Sequence, residues 1–360
     1  MKRVFLSVFF AAALLLPGVS AAQTASEIER LNARLDSLER QVERQNSRSE
    51  RWARVVEKLP HISGYAQLGY QWSEDDRSSF HIKRVRLSLD GPIRRGIADY
   101  RVQLELASPK IVDAYVRITP WRQFNVQVGQ FKVPFSIENV DYSPLKLEAI
   151  DYPMALQALL GFSENLPTGK LSATGRDMGV ALYGGLWKCE EHSIINYRIG
   201  VFNGAGINCW DNNKSKDISM RLNINPIKEL TISGSYYWGE WGSEYLSRKR
   251  FAVGAAADFP MLFARTEYIG GKTGSLLSAG YYIMAGVRAG KYFTPLVRYD
   301  TYCANSDDSN TRQTNYLVGV DCHFWNHLRV QLNYTLQHYA VAEPGRNNLS
   351  MVQVMVTGIF

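Results

Sequence analysis

From residue 60 to residue 360 one pattern dominates the chain: segments of about ten residues in which apolar and polar side chains alternate, separated by turn-forming residues. Arg84-Val85-Arg86-Leu87-Ser88-Leu89-Asp90 alternates strictly, as do Arg101 to Leu106, Asp113 to Ile118, Asn125 to Val128, Arg221 to Ile224 and Arg329 to Tyr334. Successive side chains of a strand point to opposite faces, so a period of two gives each strand one apolar and one polar face. Soluble sandwiches alternate too, but their strands are usually shorter. Many segments here run to the length that crosses a bilayer at a tilt, about 9–11 residues.

Sixteen strands are read, beginning near Ile62, Phe80, Ala98, Lys110, Gln123, Arg176, Ser193, Lys216, Leu230, Arg248, Leu262, Ser278, Tyr292, Thr314, Arg329 and Asn348. Tight connections are expected at Gly91-Pro92, Pro120-Trp121, Trp187-Lys188, Pro226-Ile227, Asp258-Phe259-Pro260, Ala289-Gly290 and Trp325-Asn326. Longer polar ones alternate with them, at 73–79, 204–215, 239–247, 304–312 and 340–347. An even strand number with short turns on one side and longer loops on the other is the asymmetry of an outer-membrane barrel. The mean hydropathy of −0.22 would suit a soluble protein. A barrel gives that average because every second residue faces water in the lumen. Tyr70, Trp72, Trp121, Trp187, Tyr236, Trp238, Phe324 and Trp325 fall at strand ends, as interfacial girdles require.

Residues 1–22 read as a secretory signal: Lys2 and Arg3, a short apolar core, then Pro17-Gly18 and small residues. The alternative, a retained anchor, is disfavoured because the core is too short to span. Residues 23–59 carry a 3-4 seam of Ile28, Leu31, Leu35, Leu38 and Val42, broken by Gln45 and Ser49 and resumed by Trp52, Val56 and Leu59. This predicts a coiled-coil helix that needs partners, an oligomerising stalk; a lone helix packed on the next domain is the other reading. Residues 60–360 form the barrel. The expected fold is thus an all-β membrane protein, a 16-stranded antiparallel transmembrane β-barrel with an N-terminal periplasmic coiled-coil helix. The stretch 133–175 lacks strand alternation and contains Pro134, Pro144, Pro153, Pro167 and a helix-like run from Ala155 to Leu160. A loop this long is usually functional. It is expected to fold inward and narrow the channel, with a lid or a trimer contact as the alternative.

Three segments resemble a known family. Gly129-Gln130-Phe131-Lys132-Val133-Pro134-Phe135-Ser136, with Glu138 after it, resembles the entry to the constriction loop of the phosphate-selective porin O and P family. Arg84 to Gly91 resembles that family's second strand, and Asp177 to Gly185 the strand after the loop. The resemblance extends over roughly residues 60–360. It implies a trimeric sixteen-stranded channel with an inward third loop and lumenal arginines that favour anions. A terminal Phe360 after alternating apolar residues resembles the assembly signal of outer-membrane barrels.

Alternation places Arg84, Arg86, Arg101, Arg117, Arg198, Arg221, Arg265, Arg288, Arg298 and Arg329 in the lumen, against Glu105, Asp113, Asp177, Glu267, Asp300 and Asp321. The residues expected to line the pore and hold anions are Arg84, Arg86, Arg101, Arg117, Lys132, Lys146, Lys170, Arg176, Arg198, Arg221 and Arg298. Arginine suits the task because its paired N–H donors match an oxyanion. Each arginine could instead pair with a lumenal acid and brace the wall. Family members that select phosphate concentrate lysines in the third loop. Here the loop carries only Lys146 and Lys170, opposed by Glu138, Asp141, Glu148, Asp151 and Glu164.

The functional expectation is a channel for small anions and other solutes in the outer membrane of a Gram-negative bacterium. It would be in contact with its lipid, a homotrimer, with peptidoglycan as a contact of the stalk. Neither a cofactor nor a nucleic-acid partner is expected. No nucleophile, base and orienter set accompanies the six histidines, so no catalytic residue is assigned. Gly270-Gly271-Lys272-Thr273 lacks the first glycine of a phosphate-binding loop, Thr266 standing in its place. Cys322-His323 with His327 lacks a second half-site for zinc, and the pairing of Cys189, Cys209, Cys303 and Cys322 stays open. The rival reading is a barrel that serves mainly as an anchor, its stalk tethering outer membrane to cell wall.

Overall fold

The computed structural model describes residues 21–56, 59–166, 169–341 and 348–360. The signal-peptide reading falls almost entirely outside the described residues, as does most of the polar connection at 340–347. The chain divides into two units, Met1–Leu59 and Pro60–Phe360.

In the first unit α1 runs from Ala21 to Val56, 36 residues. No glycine or proline interrupts it. The described part of its apolar seam is open: Leu31 is 64% and Val42 54% exposed. A stripe of this kind gains burial only by meeting another surface.

The second unit consists of β1 (His61–Ser73), β2 (Asp76–Arg94), β3 (Ala98–Glu105), β4 (Lys110–Ile118) and β5 (Asn125–Lys132). A long connection follows with α2 (Ile137–Asp141), α3 (Met154–Leu159) and the short strands β6 (Glu164–Leu166) and β7 (Gly169–Leu171). Then come β8 (Arg176–Cys189), β9 (His192–Phe202), β10 (Asp217–Ile227), β11 (Leu230–Trp241), β12 (Leu246–Asp258) and β13 (Leu262–Thr273). The last five are β14 (Leu276–Val287), β15 (Phe293–Cys303), β16 (Arg312–Phe324), β17 (Leu328–Tyr339) and β18 (Asn348–Ile359). Among the described residues sixteen strands close a barrel, each beside its sequence neighbour, with β5 against β8 and β1 against β18. Tyr65 stands opposite Ile359, and Gly64 and Phe360 exchange backbone hydrogen bonds of 2.7 and 2.9 Å.

The barrel is inside-out relative to a soluble fold. Gln67, Ser88, Gln103, Gln127 and Asn333 are buried inside, while Val116, Val180, Leu222, Ile232 and Val318 are exposed outside. That is the polarity a bilayer imposes, since a closed barrel satisfies every backbone group internally. Among the described residues no helix is long and apolar enough to cross a membrane.

Several inferred turns move. Gly91-Pro92, Trp187-Lys188 and Pro226-Ile227 lie within β2, β8 and β10, and the chain reverses at 95–97, 190–191 and 228–229 instead. Proline lacks an amide donor but is tolerated near a strand end, and register irregularities follow Pro92 and Ile224. The polar stretches at 73–79 and 239–247 are also shorter loops than expected, because β2 begins at Asp76 and β11 and β12 extend to Trp241 and from Leu246. Polar side chains there continue the hairpins rather than ending them.

Residues 133–175 turn into the barrel. Phe135, Leu147, Tyr152, Ala155, Leu156 and Leu159 pack with Phe202 of β9, Tyr237 of β11, Ala252 of β12 and Ile269 of β13 in one apolar cluster. It is the largest of three apolar clusters among the described residues and lies between the loop and the wall.

Candidate functional site: a clamped inner loop beside a cationic wall

The strand that leads into the loop, β5, carries a glycine in a conformation that side-chain-bearing residues rarely adopt. Gly129 has φ +126°, and a Cβ there would run into the Ala114 carbonyl of β4. Ser136, at φ 67°, then turns the chain inward. A non-glycine residue in that region is held by its surroundings: Ser136 Oγ donates to Glu267 Oε2 at 2.6 Å and the Ile137 amide to Glu267 Oε1 at 2.9 Å. Glu267 is buried on β13, so a lumenal acid fixes the entry to the loop.

All five acids of the loop are tied to wall cations. Glu138 accepts from Arg265 Nε at 2.8 Å and Glu148 from Arg265 Nη1 at 3.2 Å, and the guanidinium lies 3.8 Å from the Tyr142 ring centre. Asp141 accepts from Arg221 Nη1 at 2.9 Å, and Asp151 pairs with Lys83. Glu164 receives both Arg248, at 2.8 Å, and Arg250, at 2.6 Å. Backbone groups add further ties. Arg329 Nη1 donates to the Leu145 carbonyl at 2.8 Å, Arg298 Nη1 to that of Asp151 at 2.6 Å, and Asp300 accepts from the Met154 amide at 3.0 Å. Burial pushes the Glu138 carboxyl above its ordinary pKa even with Arg265 beside it. Burial acts the same way on Asp151, but the Lys83 charge and its hydrogen bond, with Gln353, outweigh it and hold Asp151 well below the usual range.

Strands β2 to β9 carry further lumenal cations. Arg86 pairs with Glu105 at 3.1 Å, Arg117 with Asp99 at 2.8 Å and Arg176 with Asp113 at 2.7 Å. Four half-buried cations have no carboxylate at ion-pair distance among the described residues. Arg84 donates to Gln67 at 2.8 Å, Arg101 to Ser88 at 3.3 Å, and Lys132 to the carbonyls of Asn139 and Tyr142. Arg198 makes no hydrogen bond to a described residue and stacks on Tyr183, 4.6 Å from the ring centre.

The loop leaves space on this side. One cavity of about 240 Å³ is lined by Arg86, Arg101, Arg117, Lys132, Arg176 and Arg198, and by Val140 to Leu145 of the loop apart from Asp141 and Tyr142. A second, of about 520 Å³, is lined by Arg122, Arg198 and Arg221 with Asn125, Asn196, Asn223 and Asn225. Val140 and Arg198 border both. Beyond the loop, a cavity of about 360 Å³ against β15 to β18 has Arg298 as its one lining arginine among the described residues. Unpaired guanidinium groups in a low-dielectric enclosure attract oxyanions through charge and paired donors.

A closed sixteen-strand barrel with an inward third loop after its fifth strand is porin architecture, and the sequence decides which porins. The family model described as phosphate-selective porin O and P matches residues 62–237, from β1 into β11. Over this stretch, just under half of its length, the chain is similar to that family. Solved structures share the fold at low identity. The anion-selective porin from Comamonas acidovorans has 14% identity and a TM-score of 0.65 over 84% of this chain and 99% of that one. OmpF of Salmonella typhi, solved with daunomycin, has 9% and 0.63 over 84% and 98%. OmpT of Vibrio cholerae has 10% and 0.60 over 84% and 97%. At such identities the likeness is one of fold. No curated protein sequence matches the chain. The family match and the porin fold together support a channel of the Gram-negative outer membrane.

Of the residues expected to line the pore, Arg84, Arg86, Arg101, Arg117, Lys132, Arg176 and Arg198 lie on strands of one sector of wall, β2 to β9. Arg221 and Arg298 are buried where the loop meets the wall. Lys146 and Lys170 are exposed on the loop and on β7. Arg288 lies past the end of β14 and pairs with Asp258 at the end of β12. Alternation missed Lys83. A bulge between β1 and β2 pairs Gln67 with Arg84 and Leu68 with Ile82, so Lys83 is the extra residue and faces inward beside Arg84. Arg248 and Arg250 went unassigned although both have the parity of the lumenal row. The four cysteines are free, His323 meets Asp321 at 3.1 Å and His327 the Ile359 carbonyl at 3.0 Å.

Proposed function

We propose that the chain works as a homotrimeric, water-filled diffusion channel for small solutes with a modest preference for anions, phosphate among them. The observation that carries this reading is the set of four lumenal cations without a carboxylate, Arg84, Arg101, Lys132 and Arg198, in one sector of wall. The loop acids no longer weigh against it, because each is neutralised by a cation of the wall. The anion selectivity in the name of the Comamonas porin and the trimer form recorded for the Vibrio OmpT favour the same reading. Solutes would pass between the loop and strands β2 to β9, with Arg198 and Val140 at the neck. Reversal potentials across a salt gradient in planar bilayers test it, repeated with chloride, phosphate and pyrophosphate. A preference for chloride over potassium is expected; cation selectivity would overturn the anion claim.

The open seam of α1 favours a second role, a periplasmic stalk that steadies the trimer and meets peptidoglycan. Full-length protein is then expected to sediment with purified peptidoglycan and a chain lacking residues 26–59 is not. Sedimentation of both would remove the cell-wall contact, and absence of conductance with sedimentation intact would make the tether the main function.

A further inference from the structure

One patch of the membrane-facing wall has a composition that the channel reading does not use. On the outward faces of β12 and β13, close to the rim where the inner loop enters, Lys249 stands directly opposite Lys272. Both are exposed, and neither ammonium has a hydrogen-bond or ion-pair partner among the described residues. Side chains at opposed positions have Cβ atoms about 4.5–5.5 Å apart, and like charges placed so repel. One residue pair deeper on the same face lie Phe251 and Gly270, also opposite each other. Gly270 carries no side chain to fill the surface, and a Cβ there would strike the Phe251 ring. The result is a groove of about 260 Å³ with the two lysines at its outer end and Tyr236, Phe251, Tyr268 and Ala279 along it.

We propose that this groove binds a phosphate-bearing lipid of the outer leaflet, its phosphate bridging Lys249 and Lys272 and an acyl chain lying along Phe251 and Gly270. A bridging phosphate turns a repelling pair into two charge-assisted hydrogen bonds. The polarity fits an amphiphile: cationic toward the headgroups, aromatic and apolar toward the membrane interior. A second barrel packed here would bring little counter-charge, since outward positions such as Val180, Leu222, Ile232 and Val318 are apolar. The lysines face away from the lumen, so the inference stands apart from solute selectivity.

The test uses the full chain in detergent, native mass spectrometry and lipid A, a bisphosphorylated glycolipid. Wild type is expected to hold lipid A about tenfold more tightly than Lys249→Gln/Lys272→Gln, as lost hydrogen bonds to a charged group imply. The Lys249→Arg/Lys272→Arg protein should retain it, and fully dephosphorylated lipid should bind wild type and the glutamine variant equally. In phosphatidylcholine vesicles, adding lipid A to wild type should slow amine-reactive labelling of the two lysines. Equal affinity in all variants, or unchanged labelling, would overturn the proposal. So would loss of oligomer mass with unchanged lipid, which would assign the patch to a second copy. Full displacement by millimolar inorganic phosphate would assign it to a free anion.

Discussion

Arg265 and Glu138 meet at 2.8 Å with 1% and 0% of their side-chain surface exposed, although 127 positions separate them in the sequence. The pair joins the wall strand β13 to the first helical turn of the inner loop. Removing one partner of a buried pair leaves an uncompensated charge, a loss of about 3–5 kcal/mol. Arg265→Met is therefore expected to lower the temperature at which the folded barrel converts to its slower-migrating form on gels. Adding Glu138→Gln and Glu148→Gln should restore much of it. A single variant as stable as wild type would mean that the loop is held by its apolar contacts alone.

Selectivity should follow the unpaired cations and not the buried ones. Arg198→Gln is expected to reduce the anion-to-cation permeability ratio by about two- to fivefold, the effect of ~0.5–1 kcal/mol of Coulomb interaction in water. Arg329→Gln should leave the ratio nearly unchanged while lowering stability. The reverse ranking in reversal-potential measurements would place the solute path on the other side of the loop.

The preference is expected to fade with salt. The Debye length is about 10 Å at 0.1 M and about 3 Å at 1 M, so cations facing a watery path lose reach over that interval. Permeability ratios measured at both strengths check this, and a ratio that does not change would point to direct coordination of the anion.

Asp151 gives a prediction in pH. Its pKa in the folded protein lies below the unfolded value of 3.8, so it stabilises the fold fully above about pH 4 and less as pH falls through the folded value. The stability difference between wild type and Asp151→Asn should stay constant from pH 8 to pH 4 and shrink only below that. A difference that closes near pH 6 would mean that Lys83 does not hold the carboxylate.

Replacing Leu31, Leu35 and Leu38 with serine should leave the barrel folded and weaken its oligomer on semi-native gels. These side chains are exposed on α1, so they gain burial only by meeting another surface. An oligomer of unchanged stability would remove α1 from assembly.

Most of the barrel could be read from alternation because face selection is local: each strand declares its lipid side within a few residues. Length and proline content mark residues 133–175 as a break in the alternation, but they do not by themselves say which way the loop turns. What alternation does not carry is partnership. Glu164 meets Arg248 and Arg250 across 84 and 86 positions, and nothing near Glu164 in sequence distinguishes it from a free acid. Lys83 was hidden differently, since one bulged residue reverses the parity on which the assignment depended. The prolines near strand ends misplaced turns because a lost amide bond near an open rim is too weak a signal to end a strand.

The clamps on the inner loop also make the barrel mechanically one-sided. From β10 to β17 the wall is cross-braced through the lumen by the contacts of Arg221, Arg248, Arg250, Arg265, Arg298 and Arg329. Along β2 to β9 the ties are fewer, Lys83 to Asp151 and Lys132 to the Asn139 and Tyr142 carbonyls, and two cavities separate loop from wall. A solute wider than the resting gap has one compliant surface to displace, and it is the surface that carries the unmatched positive charge.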